Sequence, residues 1–122
     1  MSHKEREVGA AVVWALALVS VLLLVGLASA AATAQVIARQ RAATVADIAA
    51  LAGAQASGDP CAAAEESAQA NGMQLAECTV EGMDVVVDVA STPPAVVTRL
   101  LGLLGRVAMP VRESARAGPP TP

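Results

Sequence analysis

The chain has 122 residues, a net charge of −3, two cysteines and one histidine, and 55% of it is hydrophobic although Trp14 is its only aromatic residue. An acidic balance leaves no basic footprint for nucleic acid. The length allows one small domain, and an apolar content made of Ala, Val and Leu suits helix–helix contact better than a bulky core.

The first segment, residues 1–7, reads as a short tail of mixed charge in which His3, Lys4 and Arg6 alternate with Glu5 and Glu7. Val8 to Ala38 then carries no charged residue at all. About twenty apolar residues cross the hydrocarbon core of a bilayer, and Val8 to Leu27 already supplies them. The segment is therefore expected to insert in a membrane. A tail this short beside Lys4 and Arg6 is expected to stay in the cytoplasm, leaving the rest of the chain outside.

Small residues near the end of the run also fit peptidase sites: Leu27–Ala30 and Ala32–Ala34 both have the small-x-small form, with cleavage after Ala30 or Ala34. The apolar stretch is longer than the roughly 7–15 residues of a signal sequence, which argues for retention. Gly26, Ala30 and Ala34 are spaced four apart and give a small-residue face on which another helix could approach closely.

Helix formers continue beyond the span. Thr33 to Ala56 has no proline and is rich in Ala, Gln and Arg. Val36, Ile37, Ala43, Val45, Ile48, Leu51 and Ala52 are expected to form its apolar face, either against the chain's own domain or against neighbours in an assembly. Residues 8–56 would thus be one spine helix of roughly 70 Å.

Residues 57–118 form the expected extracytoplasmic domain, with 119–122 as a tail. Gly58 and Pro60 end the spine, Asp59 caps a short helix to Ala70, and Asn71-Gly72 closes it. Gln74–Val80 and Met83–Ala90 read as two strands joined tightly at Glu81-Gly82, with Leu75 on one face of the first and Cys78 and Val80 on the other. Outside the cytoplasm Cys61 and Cys78 are expected to pair, clipping helix to sheet; otherwise they are two free thiols.

Pro93 and Pro94 exclude a central strand after that. Ala95–Leu104 reads as a short amphipathic helix or a loop. Its Leu100, Leu101, Leu103 and Leu104 are expected to pack on the sheet, the alternative being a partner or membrane-surface contact. Arg106–Gly118 alternates and reads as a last strand, at an edge because of Pro110.

Catalytic groups are sparse. His3 lies far from both cysteines, so a metal site is not expected. No serine has a nucleophile-elbow setting and no phosphate-binding glycine loop occurs. Glu65 and Glu66, adjacent on a helix, do not share a face and read as solvated surface. No enzyme activity, cofactor, nucleic-acid partner or small-molecule substrate is expected.

Arg39–Ala56 resembles the region after the membrane helix in TadE/TadG-like proteins of the tight-adherence (Flp) pilus systems. The shared pattern R-x-x-x-x-A-D-x-A-A-L-A-G-A falls on Arg41, Ala46, Asp47, Ala49, Ala50, Leu51, Ala52, Gly53 and Ala54. Arg6–Val19 is similar to the family's N-terminal entry, and Asp59–Val89 resembles its small actinobacterial members. The resemblance implies a pilin-like α+β plan and a structural, membrane-anchored role, with the bilayer, other pilus or secretion subunits, or a second copy as partners. One departure stands out. Pilin-like members often carry Glu shortly after the glycine that precedes the span, and here Gly9 is followed by Ala10, Ala11, Val12, Val13 and Trp14. That departure weighs against processing at Gly9 and favours an accessory or minor subunit. The alternative is a small secreted binding module released after Ala30 or Ala34.

Overall fold

The computed structural model describes residues 3–119 and has α+β architecture: a long N-terminal helix, two short helices and a three-stranded antiparallel sheet. The elements run α1 (His3–Ala54), α2 (Pro60–Ala70), β1 (Gln74–Glu81), β2 (Asp84–Ala90), α3 (Ala95–Leu103) and β3 (Arg112–Ala117), with sheet order β1-β2-β3. The chain divides into two compact units, one ending at Val36 and one starting at Ile37, and α1 contributes to both.

In the first unit α1 is fully exposed along its apolar side chains, and helix begins at His3 rather than after the charged tail. His3–Glu7 is helical because nothing there breaks the backbone ladder and Glu5 suits the positive end of the helix dipole. The hydroxyls of this stretch are satisfied internally. Ser20 Oγ donates to the Leu16 carbonyl at 2.8 Å, Ser29 Oγ to Val25 at 2.8 Å and Thr33 Oγ1 to Ser29 at 2.9 Å. Each bond removes a polar group that would otherwise require water.

The second unit has its own core. Ala42, Val45, Ala46, Ala49, Ala50 and Gly53 of α1 recur three and four apart and are all buried. All but Gly53 form one hydrophobic cluster with Ala64 and Ala68 of α2, with Met73, with Val85, Val87 and Val89 of β2, and with Ala117 of β3. Of the two placements expected for the apolar face of α1, packing against the chain's own domain is thereby overturned. Of the residues assigned to it only Val45 is buried, whereas Ile37, Ile48 and Leu51 point outward. The helix presents its small residues inward because it approaches too closely for longer ones. At Gly53 a Cβ would lie 2.9 Å from the Pro60 carbonyl oxygen and 3.0 Å from Val85 Cγ1.

α2 is set by its ends. Asp59 Oδ1 accepts from the Cys61 amide at 2.9 Å and the Ala62 amide at 3.4 Å, Pro60 opens the helix, and Asn71 closes it before Gly72 at φ +73°. The hairpin turns at Gly82-Met83, one residue later than expected, with Gly82 at φ +66° supplying the left-handed backbone that the turn requires.

A second correction concerns β1. The pairing register shifts between Leu75 and Glu77, leaving Ala76 without a partner on β2. This bulge inserts one residue into the alternation, so Leu75 faces the core beside Cys78 instead of opposite to it. Across the inner face Leu75 pairs with Val89, Cys78 with Val87 and Val80 with Val85.

The last strand begins only at Arg112, and Val107 and Met109 are 87% and 86% exposed instead of alternating into the sheet. Pro110 cannot donate to the ladder, so pairing starts beyond it. Ser91 and Val111 hold the base of the β2–β3 connection: the Ser91 amide donates to the Val111 carbonyl at 3.0 Å, and the Val111 amide donates to Ser91 Oγ at 3.3 Å. Between them α3 makes an excursion that buries none of its residues, so the expectation that its leucines pack on the sheet is also overturned.

The contact at Gly53 gives a direct test. Gly53→Val is expected to destabilise the protein by about 2 kcal/mol through overpacking against backbone. Gly58→Val, where an added Cβ meets open space, should leave the urea midpoint of the full-length chain close to that of the wild type.

Candidate functional surfaces

Four features carry the chemistry and the surfaces this fold offers. The first is the clip. Cys61 stands in the first turn of α2 and Cys78 in the middle of β1, and the two are disulfide-bonded with a Cα separation of 5.8 Å. The Asp59 cap and Pro60 place Cys61 at the start of α2, and Cys78 stands beside the core on β1 after the bulge at Ala76. The sequence separation is 17, and among the described residues no cysteine remains free.

The second feature is the apolar stretch of α1. It is the one helix among the described residues long and apolar enough to cross a membrane, and none of its most apolar window is buried. Gly26, Ala30 and Ala34 lie on it four apart, hence on one face, and all three are exposed. Nothing lies within 4 Å of a Cβ added at Gly9 or Gly26, so neither glycine is required by contacts within the chain. Gly9, Ala30 and Ala34, the three candidate processing positions, all sit inside helix.

The third is the outward side of α1 in the second unit. Ile37 (59% exposed), Ile48 (45%) and Leu51 (54%) lie there with Arg41 and Thr44. A shallow groove of about 490 Å³ is lined by Arg41, Thr44, Val45 and Ile48 of α1 and by Ala70, Asn71 and Gly72 at the end of α2. It holds no cluster of acid–base or nucleophilic side chains. Among the described residues there is also no group of three His, Cys, Asp or Glu side chains placed to hold a metal ion.

The fourth is the outer face of the sheet, where two acidic pairs stand opposite each other: Glu81 against Asp84 and Glu77 against Asp88. Like charges directly opposed across a hairpin repel. Arg116 bridges the first pair, with Nε and Nη2 2.8 and 2.7 Å from Asp84 Oδ2 and Nη1 3.0 Å from Glu81 Oε2. The hydrogen bond to Asp84 is the main reason the guanidinium pKa rises above its ordinary value, so Arg116 stays charged at any working pH. The second pair is less well matched. Arg112 Nη1 is 3.9 Å from Asp88 Oδ2, and Asp88 Oδ1 is buried without a hydrogen-bond partner.

Compared with protein-family models, with curated proteins and with solved structures, the chain has no significant match to any of the three.

Two outcomes follow for the clip and the charge cluster. The double variant Cys61→Ser/Cys78→Ser is expected to lose about 3 kcal/mol of stability, the cost of releasing a loop of this size in the unfolded chain; denaturant unfolding under non-reducing conditions reads it. Arg116→Gln leaves Glu81 and Asp84 opposed, so its destabilisation should be larger in 10 mM than in 500 mM salt, roughly Debye lengths of 30 and 4 Å. A deficit independent of salt would mean that packing, not charge, is what Arg116 supplies.

Proposed function

We propose that this chain is a membrane-anchored structural subunit of the TadE-like type, serving in pilus or secretion assembly rather than in catalysis. Its apolar helix would lie in the bilayer with the N-terminus in the cytoplasm, and its disulfide-clipped α+β domain would stand outside. The observation that carries the proposal is the inversion of side-chain size on α1. Small residues face the domain, while Ile37, Ile48 and Leu51 are turned outward and about half exposed. Aliphatic side chains displayed along a helix are anchors for another helix. The hydroxyls of Ser20, Ser29 and Thr33, satisfied within α1, support residence in lipid, and a disulfide supports an oxidising compartment. Gly26, Ala30 and Ala34 supply a second face for close lateral packing within the bilayer.

A second reading has its own support. The domain's compact unit starts at Ile37, so cleavage after Ala34, or after Ala30, removes none of the buried core and would release a small secreted binding module.

The two readings separate by fractionation. The anchored subunit is expected in the membrane fraction with its N-terminus upstream of the span, whereas a start at Ala31 or Gln35 in the medium is the result for the secreted module. In membranes, a photocrosslinker at Ile48 should capture a discrete neighbouring subunit or second copy, and one at Glu66 on α2 should not. Absence of any crosslink at Ile48 from assembled membranes counts against lateral packing through this face.

A further inference from the structure

α3 and the segment after it place an unusual amount of apolar surface in solvent. Val96 is 67% exposed, Leu100 58%, Leu103 84%, Leu104 74%, Val107 87% and Met109 86%, and no residue of α3 is buried. The exposure is built into the backbone. Pro93-Pro94 starts the helix, Gly105 at φ +69° stops it, and the Arg106 amide donates to the Leu101 carbonyl at 2.8 Å in the closing turn. The leucines therefore stand on a folded helix with a closed C-terminal turn.

Spacing sorts the faces. Val96, Leu100, Leu103 and Leu104 fall on one side of α3, with the less exposed Leu101 and Val97 at its edge and Thr98 and Gly102 opposite. Arg99 sits at the border of the apolar side, and Arg106 follows directly after the cap. Between Asp88 and Glu113 the only charged residues are Arg99, Arg106 and Arg112, so this stretch is purely basic in an otherwise acidic chain.

An apolar helix side flanked by arginines and free of acids has the composition of a segment lying in the headgroup layer of an anionic bilayer. Its leucines enter the acyl boundary and its arginines reach phosphate. We propose that α3 and residues 104–109 form a membrane-surface contact of the domain, specific for anionic lipid. The arginines match an anionic surface, and the extent of the apolar one favours lipid over a protein groove: a helix-binding groove needs one apolar stripe, whereas here the exposed side chains continue past the helix end into Val107 and Met109, which suits an extended, deformable surface.

Leu103→Cys, labelled with a nitroxide, tests this on the full chain reconstituted in vesicles. Leu103 is 84% exposed, so the label replaces no packing, and a label at Met83, 77% exposed on the hairpin turn, serves as the aqueous control. In vesicles of half phosphatidylglycerol and half phosphatidylcholine, the label at residue 103 is expected to be accessible to dissolved oxygen and shielded from a water-soluble nickel complex, and the label at residue 83 the reverse. Arg99→Gln/Arg106→Gln should reduce the ratio of lipid-contacting to aqueous label about twenty-five-fold, at roughly fivefold per arginine near an anionic surface. Pure phosphatidylcholine should do the same for the unmodified arginines. An aqueous label on anionic vesicles overturns the proposal, whether or not the chain floats with the vesicles through α1, which separates it from the anchor reading. Shielding that is indifferent to lipid charge, or spin–spin broadening that grows with the protein-to-lipid ratio, also overturns it, in favour of a protein or second-copy contact.

Discussion

The close approach of α1 to its own domain is the constraint on which the second unit depends. Along Ala42, Val45, Ala46, Ala49, Ala50 and Gly53 the helix offers little more than backbone and methyl groups, and at Gly53 even one additional carbon would press on the Pro60 carbonyl and Val85. Small side chains allow a short helix-to-sheet distance, and the short distance in turn leaves no room for large ones. The core is accordingly thin: Val87 and Val89 are its largest fully buried side chains, and most of the other members are alanines. Burial of this kind removes little apolar area per residue from water. A covalent link between α2 and β1, an arginine bridging opposed carboxylates and well-made caps on α2 supply cohesion that bulk does not.

The same geometry explains where the large apolar residues are. A helix that turns its alanines inward must turn its isoleucines and leucines outward, and a sheet already covered on its inner face by α1 and α2 has no place for α3. Nearly every bulky aliphatic side chain outside β2 is therefore in solvent in the isolated chain: the span of α1, the Ile37–Ile48–Leu51 stripe and the α3 segment. Surfaces like these mark contact sites when they are contiguous. Their chemistry differs. The span lacks charge entirely, the stripe is interspersed with Arg41 and Thr44, and the α3 surface is bordered by Arg99 and Arg106. On the proposed reading, the span would hold the subunit in a bilayer, the stripe would pack beside neighbours and the α3 surface would rest on lipid.

Much of the local structure is legible in the residues, because it is decided locally. The long charge-free run, the Asp59-Pro60 start of α2, the Asn71-Gly72 stop and the valine-rich second strand each depend on interactions a few residues apart, and each lies where its signal stands. The pairing of Cys61 with Cys78 was readable too, since two cysteines allow one intramolecular bridge. What misled was the assumption that larger apolar residues are the buried ones. It put the α3 leucines on the sheet, ran the last strand through Val107 and Met109 and left open whether Ile48 and Leu51 face the chain's own domain or a neighbour.

The amino-acid sequence alone thus determined the class of the fold, the position of nearly every turn and the presence of a helix with the length and apolarity of a membrane span. Those properties arise from periodicity, capping and backbone preference within a few residues. Only the tertiary structure decided which side of α1 is inside, that a bulge at Ala76 brings Leu75 round to the core beside Cys78, and that α3 has no place on the sheet. Each of these depends on the distance between elements far apart in the chain. That distance is set by the narrowest contact available, the glycine and alanines of α1 against Pro60 and Val85, rather than by the most hydrophobic one.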